Sequence, residues 1–285
     1  MGGGSWTTQS FVNYSTSRGR TTLSNGVLDG DFSAQDLYTS HSMQPELNPY
    51  KVVRECCDSE EHPNSIPVIL ALDVTGSMGG ALVEVAKKLN EVMTSLYERV
   101  EDVEIMVMGI GDLAYDYAPI QASQFESDIR IAEQLDKVWF ERGGGGNGFE
   151  SYTAAWYFGL KHTELDCWKR GKKGIIITIG DEPLNPYLPA KQLERALGDT
   201  LEGNVETEKI YEAACAKFDI YHLAVDSREN SYRYYASSIA NTWGKTLDSN
   251  HFRVVTLDEI VPQIVNIVSG SNEQVQENSS QEIKW

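Results

Sequence analysis

The sequence predicts an α/β chain: a doubly wound, mostly parallel central sheet flanked by helices, preceded by an irregular polar arm. Three observations carry this reading. Apolar runs of strand length alternate with segments of helical periodicity, the pattern of a parallel sheet covered on both faces. The run Ile66–Asp73 is apolar almost throughout, as a strand buried on both faces requires. Two of the runs end in an aspartate, Asp73 and Asp181, at the carboxyl ends of strands where ligands bind in sheets of this class.

Residues 1–64 form the arm. They are rich in Ser, Thr, Gly, Asn and Gln, yet Trp6, Phe11, Tyr14, Phe32, Tyr38 and Tyr50 punctuate them. A freely disordered leader carries few aromatics, so the arm is expected to pack on the domain that follows or on a neighbour. Residues 58–65 are a polar turn leading into the first strand.

The domain spans 65–268. After the first strand, a helix is expected over 79–100, where Leu82, Val85, Ala86, Leu89, Val92, Met93 and Leu96 recur on one stripe. Residues 104–112 read as a second buried strand. Residues 118–125 read as a short edge strand, since Pro119 is tolerated at a strand start. Residues 127–138 read as a helix with Ile129, Ala132 and Leu135 on one side. A glycine-rich loop, 143–148, precedes a helix over 152–160 and an apolar strand over 172–181. Helices over 189–197 and 205–218, a strand over 219–225, a helix over 232–247 and a strand over 252–257 follow. A helix over 257–268, bent or started at Pro262, closes the domain. Residues 269–285 read as a polar tail, and no internal repeat is evident.

Composition narrows the function. The 285 residues are 41% hydrophobic, enough for a substantial core, and carry a formal net charge of −18. That charge argues against nucleic-acid binding and favours attracting cations. No apolar stretch reaches the roughly 18 residues of a membrane span, so no membrane association is expected. The first residues lack the basic and apolar regions of a signal peptide. Cys56 and Cys57 are adjacent, a poor start for a disulfide framework, and no Cys-x-x-Cys spacing points to zinc. Reduced thiols and a cytoplasmic location are therefore expected.

The chemistry gathers at the end of the first strand. Asp73-Val-Thr75-Gly-Ser77-Met-Gly-Gly80 sets a carboxylate and two hydroxyls at alternate positions among glycines. Hard oxygen ligands of this kind suit Mg²⁺ or Mn²⁺. The glycine loop matches Gly-x-Gly-x-x-Gly through Gly143, Gly145 and Gly148. However, Glu150 occupies the following helix start, where it would repel a phosphate, so dinucleotide binding is rejected. No Gly-Lys-Ser/Thr makes it a P-loop.

Asp-x-Thr-Gly-Ser-Met resembles the first motif of the metal-ion-dependent adhesion site (MIDAS) of von Willebrand factor type A (VWA) domains. The wording of Gly111-Asp112-Leu-Ala-Tyr-Asp116 and Gln124-Phe-Glu-Ser-Asp-Ile-Arg-Ile131 is similar to stand-alone VWA proteins of bacteria and their phages. The resemblance covers residues 65–268 and leaves the arm aside. It implies that Asp73, Thr75 and Ser77 form the first metal loop and Asp181 the third. Glu150 falls where the integrin β-type variant places a metal-binding Glu; Thr153, a helical turn further on, is the competing second-loop ligand. Asn147 and Phe149 replace the Asp and Pro of that variant, which puts its accessory cation site in doubt. Ser151 is a candidate cap for the following helix.

The resemblance implies a cation-dependent module that binds a protein partner, without enzymatic activity. An acidic residue of the partner would complete the metal shell. Intracellular VWA proteins often act with AAA+ ATPases, which makes such an ATPase a partner by analogy. Two other readings stand beside it. A haloacid-dehalogenase-like Mg²⁺ phosphatase also ends its first strand in Asp, but Thr75 replaces the second Asp, its general acid. A purely structural subunit of an assembly would use the arm and tail for contacts. Oligomeric state is left open. Asp112, Asp116 and Asp128 read as solvated loop carboxylates, with a second cation site as the alternative, and His222 as a structural histidine. Trp156, Tyr157 and Phe158 read as core, and Tyr232, Tyr234 and Tyr235 as packing residues, with an interface lining as the alternative.

Overall fold

The computed structural model describes residues 4–142 and 147–281, with 271–281 as backbone alone. Six strands make the central sheet: β1 (Ile66–Asp73), β2 (Val103–Ile110), β3 (Ile120–Ala122), β4 (Gly174–Gly180), β5 (Phe218–Val225) and β6 (Phe252–Val255). Their order in space is β6-β5-β4-β1-β2-β3. Every neighbouring pair is parallel except β2 with the edge strand β3. The chain winds outward from β1 to β2 and β3, then crosses to β4 on the other side of β1. The expected doubly wound sheet is therefore present, with its switch point between β1 and β4.

Among the described residues the longer helices are α1 (Thr8–Ser17), α2 (Gly79–Lys87), α3 (Leu89–Tyr97), α4 (Arg130–Leu135), α5 (Thr153–Lys161), α6 (Ala190–Leu197), α7 (Thr207–Cys215), α8 (Tyr232–Thr246) and α9 (Ile260–Gln281). β1 sits at the centre because both its faces are apolar. Val68, Leu70 and Leu72 pack into a core that includes Leu82, Val85, Val92, Ile260 and Ile264 of α2, α3 and α9. Ile69 and Ala71 face a second core with Trp156 of α5 and Trp243 of α8. Each such Leu or Ile, fully buried, contributes about 1.5–3 kcal/mol. Pro67 is tolerated in this central strand because the β4 pairing begins only at Val68↔Ile175, so its missing N–H costs no bond on that side.

Residues of the arm cover the first core. Trp6, Phe11, Leu28, Leu37, Tyr38 and Leu47 are buried in it. Thr7 caps α1 by accepting from Ser10 N at 3.1 Å. Trp6 Nε1 donates to Asn90 Oδ1 at 2.9 Å, and Tyr38 OH to the Leu82 carbonyl at 3.0 Å.

Four elements differ from the sequence reading. The arm read as irregular contains the ten-residue helix α1, Thr8–Ser17. The helix expected over 79–100 breaks at Lys88, between α2 and α3. Just beyond the break, buried Asn90 serves the arm, bonding Trp6, Thr8 and the Asn25 carbonyl. Val205–Glu206 does not join α7 but pairs with Tyr187–Leu188 as a small antiparallel ribbon. The closing helix starts before Pro262, at Ile260, and runs to Gln281 into the segment read as a tail. Pro262 lies in its first turn, where a missing N–H leaves no intrahelical bond unmade. Among the described residues no helix is long and apolar enough to cross a membrane.

Candidate metal centre

The carboxyl ends of β1 and β4 bring the first and third loops together at the switch point. Asp73, the last residue of β1, is fully buried. Its Oδ1 accepts from Thr75 N at 2.9 Å and from Thr75 Oγ1 at 2.6 Å; its Oδ2 accepts from Tyr152 OH at 2.7 Å. Asp181, directly after β4, is also fully buried. Its Oδ1 accepts from Ser77 Oγ at 3.1 Å and its Oδ2 from Ser231 N at 2.6 Å. Thus Thr75 bonds Asp73 within the first loop, and Ser77 bonds Asp181 across the two loops. The hydroxyls spend their protons on carboxylates and keep lone pairs free.

The second loop adds Glu150. It is buried and forms a parallel bridge with Leu184, and among the described residues its Oε2 has no hydrogen-bond partner. The Thr153 hydroxyl, by contrast, accepts from Asn185 Nδ2 at 2.5 Å, and Thr153 N donates to Asn185 Oδ1. Of the two second-loop candidates, Glu150 is the one whose carboxylate senses Asp73. Gly143 to Gly146 of the glycine loop lie outside the described residues. Ser151 does not cap α5. Its Oγ accepts from Leu113 N at 3.0 Å, tying the loop to the segment after β2.

Electrostatically the set is uncompensated. Burial pushes the Asp73 carboxyl well above the usual range, and the charge of Asp181 adds to this. Burial raises Asp181 too, against the Ser231 N–H and the Ser77 hydroxyl. Glu150 is pushed up to about 11 by burial first, then by the charges of Asp73, Glu182, Asp116 and Asp112. Glu182 rises to about 7 by burial and the nearby Asp181 and Asp112. Among the described residues no Lys, Arg or His forms an ion pair with any of them. Buried carboxylates without a counter-charge repel one another, and a divalent cation relieves that repulsion. Among the described residues no three His, Cys, Asp or Glu form a metal cluster by themselves, so an ion here would draw on the two hydroxyls as well. The donor set, hard oxygens with one orphaned buried carboxylate oxygen, fits Mg²⁺ or Mn²⁺.

Two expectations are corrected here. Asp112 is not solvated: it is buried. The loop folds back so that Asp112 N donates to Asp116 Oδ2 at 2.7 Å and Asp112 Oδ1 accepts from Ala114 N. Tyr234 and Tyr235 are exposed rather than packed. His222 is buried against Trp243, ring centroids 3.6 Å apart, and Trp156, Tyr157 and Phe158 lie in the core. Sequence reading missed Tyr152, whose hydroxyl reaches Asp73. An aromatic opening a helical pattern reads as core, and only its place two residues after Glu150 hinted otherwise.

No family model matches the chain, and no curated protein matches it in sequence. Solved structures resemble it at low identity. The pilus adhesin SpaC from Lactobacillus rhamnosus GG, in its open conformation, aligns with 75% of this chain at 12% identity and TM-score 0.49; the chain spans 31% of that protein. The vWF domain of the type V pili tip protein Mfa5 from Porphyromonas gingivalis aligns with 74% at 13% identity and TM-score 0.43, over 96% of that chain. The SpRpn10 VWA domain aligns with 71% at 12% identity and TM-score 0.42, over 94% of that chain. The chain's own strand order, with one antiparallel edge strand and helices on both faces of the sheet, makes it a VWA/Rossmann-like α/β fold.

Proposed function

We propose that the chain is a divalent-cation-dependent protein-binding module that recognises a carboxylate of its partner. The observation that carries this reading is the burial of Asp73, Glu150 and Asp181, with Asp181 and Glu150 each interacting electrostatically with Asp73 and, among the described residues, no ion pair to any of them and no partner for Glu150 Oε2. Thr75 and Ser77 would hold Mg²⁺ or Mn²⁺ through their hydroxyls, and Asp73, Glu150 and Asp181 directly or through water. The bound ion would supply a Lewis-acidic point for an acidic side chain. A cavity of about 170 Å³ beside Ser77, lined also by Gly80, Ser227 and Asn230, leaves room for a side chain to approach.

The reading is of a binder rather than a phosphatase. Thr75 Oγ1 donates to Asp73 Oδ1, and a hydroxyl in that place has no acidity with which to protonate a leaving group. Four free cysteines accord with a cytoplasmic setting.

The test is calorimetric titration of Mg²⁺ into the chelator-treated full chain and into Asp73→Ala, with circular dichroism to verify folding. Saturable binding that the variant loses is expected. No binding by the intact chain would overturn the proposal.

A further inference from the structure

We infer that Tyr152 is a positioning residue for the cation site: its phenol fixes Asp73 and so sets the affinity for the ion. The inference rests on the cation reading above and adds to it a residue outside the ligand set.

The direction of the bond follows from donor inventory. Glu182 N lies 3.3 Å from Tyr152 OH and can only donate to it, and Asp73, ionised when the cation is bound, can only accept. The one phenolic proton therefore points at Asp73 Oδ2. With Thr75 N and Oγ1 both donating to Oδ1, the Asp73 carboxylate is gripped at both oxygens and its plane is fixed. The grip also keeps the Thr75 hydroxyl proton turned toward Asp73 and its lone pairs away from it. Groups that hydrogen-bond a ligating carboxylate in this way orient it and tune the metal.

The phenol is itself held rigidly. Its ring lies 5.3 Å from the His222 ring and 5.6 Å from that of Trp243. Trp243 Nε1 donates to the Glu182 carbonyl at 3.1 Å, so the same loop that meets the phenol is tied to α8. A side chain at Gly180 would overlap the phenol, which accounts for a glycine at the end of β4. Tyr152 thus joins all three loops. It follows Glu150 by two residues, donates to Asp73 and accepts from Glu182.

The experiment compares Mg²⁺ titrations of the chelator-treated full chain, Tyr152→Phe and Tyr157→Phe. Tyr157 sits on the same helix and makes the same kind of bond, OH to Asp199 Oδ2 at 2.8 Å, away from the site. Both variants delete one phenol–carboxylate bond, so a merely structural role would treat them alike. Tyr152→Phe is expected to bind Mg²⁺ roughly 10- to 100-fold more weakly, whereas Tyr157→Phe should match the intact chain. Equal affinity for Tyr152→Phe would remove the role of Tyr152 and leave the cation site standing. No binding by the intact chain would remove both. A second measurement needs no variant: Mg²⁺ should shift the near-ultraviolet tyrosine absorption of the intact chain as the charge at Asp73, to which the phenol bonds, changes. Mg²⁺ binding with no such shift would overturn the inference.

Discussion

Two buried acidic centres in this molecule are built on opposite plans. At the arm, Asp136 accepts from Arg20 Nη1 at 2.9 and 3.0 Å and from Tyr14 OH at 2.8 Å, with Arg18 Nε 3.3 Å away. At the switch point, Asp73, Asp181 and Glu150 are at least as deeply buried, yet receive only neutral donors, and Glu150 Oε2 receives none. The chain can place arginines against a buried carboxylate and does so where the arm must be fastened. At the strand ends it withholds them. A charge fixed by arginine is a structural joint, and a charge left open is available to a mobile cation.

The largest effect should come from breaking the joint. Removing one member of a buried pair leaves the other charge stranded, typically at 3–5 kcal/mol. Arg20→Ala strands Asp136 and also vacates the Leu37 carbonyl, to which Arg20 Nη2 donates at 3.0 Å. Arg18, more exposed, remains as a partial substitute. A loss of about 3 kcal/mol is expected by urea denaturation, with Mg²⁺ affinity unchanged. A loss below about 0.5 kcal/mol would place this pair with ordinary surface ion pairs and erase the contrast.

The converse change at the switch point should have the opposite sign. In chelator, burial beside Asp73, Glu182, Asp116 and Asp112 forces Glu150 to take up a proton on folding, a cost at neutral pH that the amide of Glu150→Gln does not carry. The variant should be more stable than the intact chain by ~1–2 kcal/mol. Mg²⁺ at about 100 times its Kd should then stabilise the intact chain by roughly 2.7 kcal/mol and the variant by less. Thermal melts with and without Mg²⁺ read both differences. A variant that is less stable in chelator would mean that Glu150 is compensated after all.

What the sequence displayed and what it hid divide along the range of the interactions. Strands β1, β2 and β4 were legible because parallel strands buried on both faces read as continuous apolar runs. Asp73 and Asp181 were legible because each closes such a run. Burial of Asp112 was not, since a loop aspartate after a strand looks solvated until the chain folds back through Asp116. The Asp136 joint was hidden for a similar reason: Tyr14, Arg18 and Arg20 meet a residue more than a hundred positions away, and no periodicity links them. The break at Lys88 was hidden because the apolar stripe of α2 runs on through α3, while the bonds of Asn90 come from the arm. Tyr152 combines both difficulties, a core-like residue whose single polar atom meets the end of a distant strand.

His222 offers the smallest effect and sharpens the contrast from the basic side. It is a buried ionisable group whose Nε2 has no partner among the described residues, while its Nδ1 lies 2.9 Å from Thr178 Oγ1. Burial alone holds it well below the usual 6.5, so the folded chain keeps it neutral. The unfolded chain takes up a proton there below about pH 6.5, and the folded chain does not. Stability contributed by His222 is therefore full above that value and is lost as pH falls, by up to ~1.4 kcal/mol per pH unit. Between pH 6.5 and 5 the intact chain should lose about 1.6 kcal/mol more than His222→Gln. Denaturant midpoints across that interval measure the difference. Parallel pH profiles would mean that the folded chain can protonate His222 in place, with water or a rearranged Thr178 reaching the ring. An unpaired buried base would then follow a different rule from the unpaired buried acids two strands away.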